Sequence, residues 1–187
     1  EIPGEILKPI LNKHFNHQFE YDDFLKINSL IYNQKGKRIQ LSKNLSAFRE
    51  DNSITLMRSH KRVDKKMELR AGYEVSTESF QIGIEQVNKR DVKYGGNGST
   101  EFISADDLSG NFILRRWKEG DRFKPLGMSH FKKVSDFLTD IKVPTSQRGK
   151  QFVLLNRNQI VWVIGLRIDE RVKLNPKTKK IYKLWVN

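Results

Sequence analysis

Residues 114–144 read LRRWKEGDRFKPLGMSHFKKVSDFLTDIKVP, and this stretch sets how the second half of the chain folds. It opens as the end of an apolar strand and continues through a turn bounded by Gly120 and Gly127. Lys133–Ile141 then carries apolar residues at helical spacing, and Pro144 marks the end of that helix. The sequence therefore predicts a strand, a stiff basic turn and a helix in succession.

Apolar runs on both sides of this stretch predict further strands. The Gly-rich segment Gly95–Ser99 is followed by strand-like residues, which favours a hairpin connection over a phosphate-binding loop, because such a loop needs a following helix. We therefore expect an α+β fold in which a mixed or antiparallel sheet carries one or two helices. The predicted strands are Tyr73–Thr77, Phe80–Val87, Thr100–Ser104, Phe112–Trp117, Phe152–Asn156, Ile160–Ile164 and Ile181–Val186.

The first 58 residues predict a small helical hairpin followed by a short β-meander. Glu5–Phe15 and Tyr21–Tyr32 carry apolar residues at helical spacing, and Gly36 stops the second helix. Three short runs then predict strands: Arg38–Leu41, Ala47–Glu50 and Ile54–Arg58.

These patterns divide the chain into three parts. Residues 1–58 form the helix-helix-meander domain, and residues 59–69 are polar and mostly charged, which is typical of a linker. Residues 70–187 form a basic α+β domain.

The composition excludes several classes of protein. The chain has no Cys, so it has neither a disulfide framework nor a thiolate metal site. No apolar run approaches the roughly 18–20 residues that cross a bilayer, and the first ten residues do not resemble a secretory signal. We expect a cytoplasmic protein that does not enter a membrane. Because the chain begins at Glu1 rather than Met, we expect a fragment of a longer protein.

The positive charge is concentrated in the second half of the chain. Gly110–Asn187 holds 18 Lys plus Arg and 6 Asp plus Glu, a net charge of +12, whereas the preceding residues have a net charge of +1. Such a surface attracts polyanions by releasing their condensed counterions. Nucleic acid is therefore the leading partner, and an anionic membrane surface is the second.

The sequence gives little support for a catalytic or metal site. His14 and His17 are three residues apart, but a metal site needs a third ligand and an ordered surrounding shell. Asp136 and Asp140 share a helix face beside lysines, which indicates ion pairing or solvation rather than acid–base catalysis. We therefore expect no metal ion and no catalytic residue in this chain.

Several short sequence motifs follow one another along the second half of the chain. They are Leu114-Arg115-Arg116, Gly120-Asp121-Arg122-Phe123, Pro125-Leu126-Gly127-Met128, Lys132-Lys133-Val134, Asp136-Phe137-Leu138, Lys142-Val143-Pro144 and Arg148, then Ile160-Val161-Trp162-Val163, Gly165 and Arg167-Ile168-Asp169-Glu170-Arg171. This order resembles the C-terminal domain of bacterial tRNA(Ile)-lysidine synthetase. The resemblance is dense from Leu114 to Arg171 and looser before it.

The resemblance implies a role in tRNA modification. Enzymes of this family are ligases that use ATP to adenylate the wobble cytidine of tRNA(Ile) and then attach lysine to it. ATP, with Mg, and lysine are used by an N-terminal domain whose Ser-Gly-Gly-x-Asp-Ser loop is absent here. The resemblance therefore implies that this chain binds no cofactor and is inactive alone. Its partners would be tRNA(Ile), through the acceptor stem, and the N-terminal catalytic domain of the enzyme, and a homodimer stays open.

An A-form acceptor stem exposes phosphates and 2′-hydroxyls, so we expect it to be bound by cations on fixed loops. The residues predicted to bind tRNA are Arg115, Arg116, Arg122, Lys124, Lys132, Lys133, Arg148 and Arg167. The residues predicted to shape the turn are Gly120, Asp121, Pro125 and Gly127. Lys132 and Lys133 are expected to begin the helix, and Arg167 and Arg171 are also candidates for structural ion pairs with Asp169 and Glu170.

Two other classes of function stay open at this point. A stand-alone RNA- or ribosome-binding protein would share the basic second half. A self-contained hydrolase would need a carboxylate pair in a desolvated pocket.

Overall fold

The computed structural model describes residues 4–58, 66–77, 79–93 and 98–187. The helices are α1 (Gly4–Phe15), α2 (Tyr21–Ile31), α3 (Val134–Asp140) and α4 (Thr145–Arg148), with short 3-10 helices at Lys89–Asp91 and Glu170–Val172. The strands are β1 (Arg38–Ser42), β2 (Leu45–Arg49), β3 (Ile54–Arg58), β4 (Met67–Arg70), β5 (Glu74–Ser76), β6 (Gln81–Val87), β7 (Thr100–Ser104), β8 (Asn111–Arg116), β9 (Arg122–Phe123), β10 (Lys132–Lys133), β11 (Phe152–Asn156), β12 (Gln159–Val163), β13 (Arg167–Ile168) and β14 (Ile181–Val186).

The first of two compact units contains Glu1–Val63 and Val143–Arg148. Its strands form an antiparallel meander in the order β1-β2-β3. Phe19 and Leu30 from the helical hairpin pack with Leu45 of the meander in one buried cluster. Burying an apolar side chain of this size stabilises the fold by about 1.5–3 kcal/mol, so this cluster fixes the hairpin on the sheet.

The short helix α4 belongs to the first unit although it lies 87 residues beyond β3 in the chain. The carboxylate of Glu50 accepts hydrogen bonds from the backbone N–H groups of Thr145, at 3.2 Å, and Ser146, at 3.1 Å. These first-turn N–H groups have no partner inside a helix, so Glu50 satisfies them. Residues 143–148 fall within the second domain predicted from the sequence, because this long-range cap leaves no local signal.

The second unit contains Asp64–Lys142 and Gly149–Asn187, and its core lies between two sheets. A five-stranded sheet has the order β13-β12-β11-β8-β4, and a four-stranded sheet has the order β5-β6-β14-β7. Leu114 and Trp162 of the first sheet share a fully buried cluster with Ile84 and Leu184 of the second. All the strand pairs described are antiparallel, and the α+β class expected from the sequence is confirmed.

Two local predictions differ from the structure. Lys132 and Lys133 form strand β10, paired with β9, rather than the first turn of a helix, because Val134 is the first helical residue and Lys133 is its extended N-cap. Strand β4 occupies part of the predicted linker and pairs with β8. Residues 59–65 of that linker, and most of the Gly95–Ser99 connection, lie outside the described residues. Among the helices that the structure describes, none is both long and apolar enough to cross a membrane.

Candidate nucleic-acid interface

Strands β9 and β10 form a two-stranded hairpin in which one face carries the buried Phe123 and the other face is exposed and cationic. Phe123 lies opposite Lys132, and Arg122 lies opposite Lys133. Residues opposite each other in an antiparallel pair project from the same face. Phe123 is fully buried against the ring of Phe137 on α3, with ring centroids 5.1 Å apart, whereas Arg122 and Lys133 are exposed.

The two cations on the exposed face lack a compensating acid. In the parts of the chain that the structure describes, neither Arg122 nor Lys133 takes part in an ion pair or a side-chain hydrogen bond. Like charges directly opposite each other on a strand pair destabilise the pair. An anion bound between the two side chains would remove this repulsion, so the face is suited to a phosphate.

The turn before β9 is fixed by Asp121. Its carboxylate accepts two hydrogen bonds from the Arg115 guanidinium, at 2.7 and 2.9 Å, and a third from the backbone N–H of Lys118, at 2.7 Å. Its carbonyl oxygen accepts the N–H of Val134, at 2.9 Å. Gly120 adopts a φ of 87°, in the left-handed region that favours Gly. Arg115 is 13% exposed, so its charge is used inside the fold rather than at the surface.

The loop after β9 is fixed to the segment Ile168–Glu170 by backbone and carboxylate contacts. The fully buried carboxylate of Asp169 accepts the backbone N–H of Lys124, at 2.9 Å, and the Lys124 carbonyl accepts the N–H of Glu170, at 2.7 Å. The N–H of Leu126 donates to the carbonyl of Ile168, at 3.0 Å. The loop therefore holds its side chains on a rigid support.

Glu170 closes the far end of the same loop. Its carboxylate accepts the backbone N–H of Gly127, at 2.8 Å, and the ammonium of Lys173. The Gly127 hydrogen bond, and then the Lys173 ammonium, hold the pKa of Glu170 below its ordinary value. Glu170 is therefore ionised at neutral pH, and it holds a turn in which Gly127 has a φ of 91°.

An aromatic side chain lies among the cations of this loop. Phe131 is 48% exposed, and its ring centroid is 5.1 Å from the Lys124 ammonium nitrogen and 4.9 Å from the central guanidinium carbon of Arg171. Asp169 fixes the Arg171 side chain through hydrogen bonds of 2.8 and 2.9 Å. Cation–π contacts of this kind contribute about 0.5–1 kcal/mol at exposed sites, so they order the ring without burying it.

The remaining residues predicted to bind tRNA lie in different settings. Arg116 stacks over the ring of Phe152, at 5.7 Å, and Lys132 pairs with Asp140 on α3. Arg148 belongs to the first unit, where its Nε donates to the Val143 carbonyl at 2.8 Å.

Arg167 is exposed on strand β13, and its charge acts on a half-buried carboxyl of β7. Burial raises the pKa of Glu101, and the positive charge of Arg167 opposes that rise. Arg167 therefore differs from Arg122 and Lys133 in having an acidic neighbour.

Trp162 and His17 have structural settings. Trp162 is fully buried in the core. His17 lies 3.3 Å from the carboxylate of Asp23, and no cluster of three or more His, Cys, Asp or Glu in the described ranges could hold a metal ion.

Sequence reasoning missed two residues that the fold brings to this region, Phe131 and Arg157. Phe131 precedes two lysines without any apolar periodicity that would mark it as buried or exposed. Arg157 lies in the two-residue turn between β11 and β12, where its φ of 54° is one that Gly, Asn or Asp adopt more readily. The sequence signal for Arg157 is an Arg at the first position of a two-residue turn, where Gly, Asn or Asp is usual.

The chain has clear relatives among known proteins. Residues 112–185, from β8 into β14, match the family model described as the TilS substrate C-terminal domain. The tRNA(Ile)-lysidine synthase of Clostridium acetobutylicum is 30% identical over 167 residues, which is 84% of this chain. This chain belongs to the tRNA(Ile)-lysidine synthase family.

Other members of the family match different lengths of the chain. The tRNA(Ile)-lysidine synthase of Clostridium perfringens is 30% identical over 98% of this chain, and that of Bacteroides thetaiotaomicron is 42% identical over 46% of it. The chain covers 36% of the Clostridium acetobutylicum protein and 41% of the Clostridium perfringens protein.

A solved structure shows the same fold. The crystal structure of a TilS C-terminal domain superposes with a TM-score of 0.56 at 19% sequence identity, covering 66% of this chain and 97% of that domain. The fold expected from the resemblance is therefore confirmed. The family model and the relatives confirm the resemblance itself, so the chain carries the C-terminal domain of this family.

Proposed function

We propose that this chain is the tRNA-binding part of a tRNA(Ile)-lysidine synthase and that its β9–β10 hairpin contacts the backbone of the acceptor stem. The observation that carries the proposal is the pair Arg122 and Lys133, two exposed cations held opposite each other without an acidic partner in the described residues. Phosphate contacts fix the position of a protein on nucleic acid without reading its sequence. Lys124, fixed by Asp169 through its backbone, adds a third cation beside the hairpin.

We divide the eight predicted residues into three groups by the contacts that each of them makes. Arg122, Lys124 and Lys133 have the exposure or the rigid support that a phosphate contact needs. Arg115 and Lys132 are held by Asp121 and Asp140, so we assign them to the fold. We keep Arg116, Arg148 and Arg167 as weaker candidates, because each has a contact or charged neighbour that competes for it.

We propose that the ligase chemistry lies in another domain of the enzyme. The relatives are tRNA(Ile)-lysidine synthases, and the proposed reaction attaches lysine to the wobble cytidine of tRNA(Ile) at the expense of ATP. The residues of this chain do not match that chemistry: the Ser-Gly-Gly-x-Asp-Ser sequence is absent from it, and the described residues offer no metal-binding cluster. We therefore propose that this chain supplies binding energy for tRNA.

The alternative of a stand-alone RNA- or ribosome-binding protein is less well supported. The relatives are longer enzymes, and the one from Clostridium perfringens matches 98% of this chain. A cationic hairpin alone would suit either function, and the family match supports the tRNA-modifying enzyme.

The experiment that tests the proposal is the kinetics of lysidine formation by the full-length enzyme carrying Arg122→Ala and Lys133→Ala. Removing contacts that are equal in the ground and transition states raises KM and leaves kcat unchanged. We expect KM for tRNA(Ile) to rise about tenfold or more, since each charged contact contributes about 1 kcal/mol. Arg90→Ala with Lys93→Ala removes the same formal charge from the segment after β6 and should leave KM within about twofold.

The choice of substrate separates the acceptor stem from the anticodon. With an isolated anticodon stem-loop as substrate, the acceptor stem is missing, so the Arg122→Ala and Lys133→Ala enzyme should equal the wild type. An unchanged KM for whole tRNA, or an equal loss on the stem-loop, would refute the proposed contact.

A further inference from the structure

A cleft beside the hairpin shares Arg122 with the phosphate contacts proposed above, and its other lining residues have no part in them. It has a volume of about 370 Å³ and lies wholly within the second unit. Small-molecule sites commonly measure about 300–1,000 Å³, so this cleft can enclose one nucleotide. Its lining includes Arg122, Phe131, Arg157, Asn158, Gln159 and Arg171.

Three arginines give the cleft a positive charge. Asp107 is the acidic residue among those that line it. Arg122 and Arg157 make no ion pair or hydrogen bond with the described residues. Arg171 donates to Asp169 from Nε and Nη2, and these two bonds leave its Nη1 without a described partner. Guanidinium groups bind phosphate through paired N–H donors, so the cleft is suited to a phosphate group.

Phe131 gives the same cleft an aromatic surface. Its ring is 48% exposed and is held 4.9 Å from the Arg171 guanidinium, which is itself fixed by the buried Asp169. An exposed, ordered ring beside arginines is the combination on which unpaired bases stack in single-stranded nucleic-acid sites. Paired bases in a duplex cannot offer this face, so the ring selects an unpaired nucleotide.

The turn that carries Arg157 adds a polar edge to the cleft. Arg157 holds a φ of 54°, and it is followed by Asn158 and Gln159, whose amides can donate to and accept from a base edge. A long side chain in a left-handed conformation costs free energy that Asn or Gly would avoid. The position of the guanidinium at the cleft offers a functional reason for that cost.

We propose that this cleft binds a nucleoside phosphate with an unpaired base, the phosphate on Arg122, Arg157 and Arg171 and the base against Phe131. The unpaired nucleotide can belong to the tRNA chain or to a free mononucleotide, and the tRNA source rests on the proposed function. Arg122 then serves both surfaces, because it is exposed on the hairpin and also lines the cleft.

The test compares two RNA duplexes that differ only in a single-stranded 3′ overhang containing 2-aminopurine, with AMP as a third probe. Wild type should bind the overhang duplex about tenfold more tightly than the blunt duplex and quench its fluorescence, because one stacked base contributes about that factor. Phe131→Ala should remove this difference and leave the affinity for the blunt duplex unchanged, whereas Phe131→Trp should retain the difference.

Arg157→Asn is the second variant, because Asn suits a φ of 54° and the change should not unfold the chain. It should weaken the overhang duplex and leave the blunt duplex unchanged. The matched control Arg90→Ala removes an exposed arginine outside the cleft lining and should leave the advantage of the overhang intact.

The outcomes distinguish binding in the cleft from binding on the hairpin, and a nucleotide of tRNA from a free mononucleotide. If wild type bound both duplexes equally and did not bind AMP, the proposed nucleotide site in the cleft would be wrong and the proposed function would be unaffected. Binding of AMP that Phe131→Ala removes, without an advantage for the overhang, supports a site for free nucleotides. If wild type bound neither duplex, the proposed function would fail, and the AMP result would decide the cleft alone.

Discussion

At the scale of single residues, three acids organise a region whose surface is cationic. Asp121 holds Arg115 and the turn before β9, Asp169 holds Lys124 and Arg171, and Glu170 holds the N–H of Gly127. These carboxylates are structural, and they explain how many cations can be placed close together. Each acid pairs with a cation or accepts a backbone N–H inside the fold, and other cations are left exposed at the surface.

The first prediction separates structural from binding arginines. Arg115→Ala leaves the Asp121 carboxylate largely buried without its partner, which should lower the free energy of unfolding by about 3 kcal/mol. Arg122→Ala removes an exposed side chain and should change it by less than about 0.5 kcal/mol while weakening tRNA binding. Urea unfolding followed by circular dichroism measures both. A stable Arg115→Ala variant that binds tRNA poorly would reverse this assignment.

The second prediction concerns pH. The pKa of Glu170 is lowered in the folded chain from its ordinary value of 4.5, chiefly by the Gly127 N–H. A carboxyl with a lowered folded pKa stabilises fully above its unfolded pKa and loses that contribution as the pH falls through the folded pKa. The difference in unfolding free energy between wild type and Glu170→Gln should therefore be largest above pH 4.5 and shrink below it.

The control for this titration is Glu119→Gln, at an exposed turn residue whose carboxylate makes no hydrogen bond with the described residues. Its difference from wild type should stay near zero at every pH. A Glu170→Gln difference that does not change with pH would show that the carboxylate charge is not what holds the Gly127 turn.

At the scale of elements, the β9–β10 hairpin holds two like charges opposite each other, Arg122 and Lys133, and their repulsion lowers its stability. Lys133→Glu places an acid opposite Arg122, which should stabilise the chain by about 0.2–1 kcal/mol because opposite charges now face each other. The same change should abolish most tRNA binding, since it repels phosphate. Thermal unfolding and tRNA binding on one sample measure both effects. A loss of stability on Lys133→Glu would show that the two cations do not repel each other in the free chain.

The pairing of β6 with β14 depends on one glycine. Gly83 lies opposite Trp185, and a Cβ added at Gly83 would come within 2.4 Å of the indole ring. Gly83→Ala should therefore lower the free energy of unfolding by about 1–3 kcal/mol through overpacking. Gly110→Ala, where an added Cβ meets nothing within 4 Å, is the matched control. Equal stability of the two variants in urea would contradict the close packing of Trp185.

Helices and strands long enough to show a hydrophobic period could be predicted from the sequence, whereas strands of two residues could not. Strands such as Ile54–Arg58 and Ile181–Val186 have the predicted bounds, because hydrophobic periodicity determines which face is buried. Strand β10 has two residues and therefore no period. The cap on α4 comes from Glu50, which is 95 residues away from Thr145, so no local pattern carries it.

At the scale of the whole molecule, charge asymmetry and family membership both support the proposed partner, tRNA. The net charge of +12 from Gly110 to Asn187 lies mostly in the second unit, which also matches the TilS substrate C-terminal domain. The sequence alone predicts the class of partner, a nucleic acid. The sequence does not distinguish structural cations from exposed ones. Only the fold shows that Arg115 is paired with Asp121 and that Arg122 is exposed.

The central claim is that Arg122 and Lys133 contact tRNA phosphates, and the salt dependence of binding tests it most directly. Each phosphate contact adds about 0.7–0.9 to the slope of log affinity against log salt concentration. Arg122→Ala with Lys133→Ala should therefore reduce the slope for tRNA(Ile) by about 1.5, whereas Arg90→Ala with Lys93→Ala should leave it unchanged. A slope that is the same in the hairpin variant and the wild type would contradict the account.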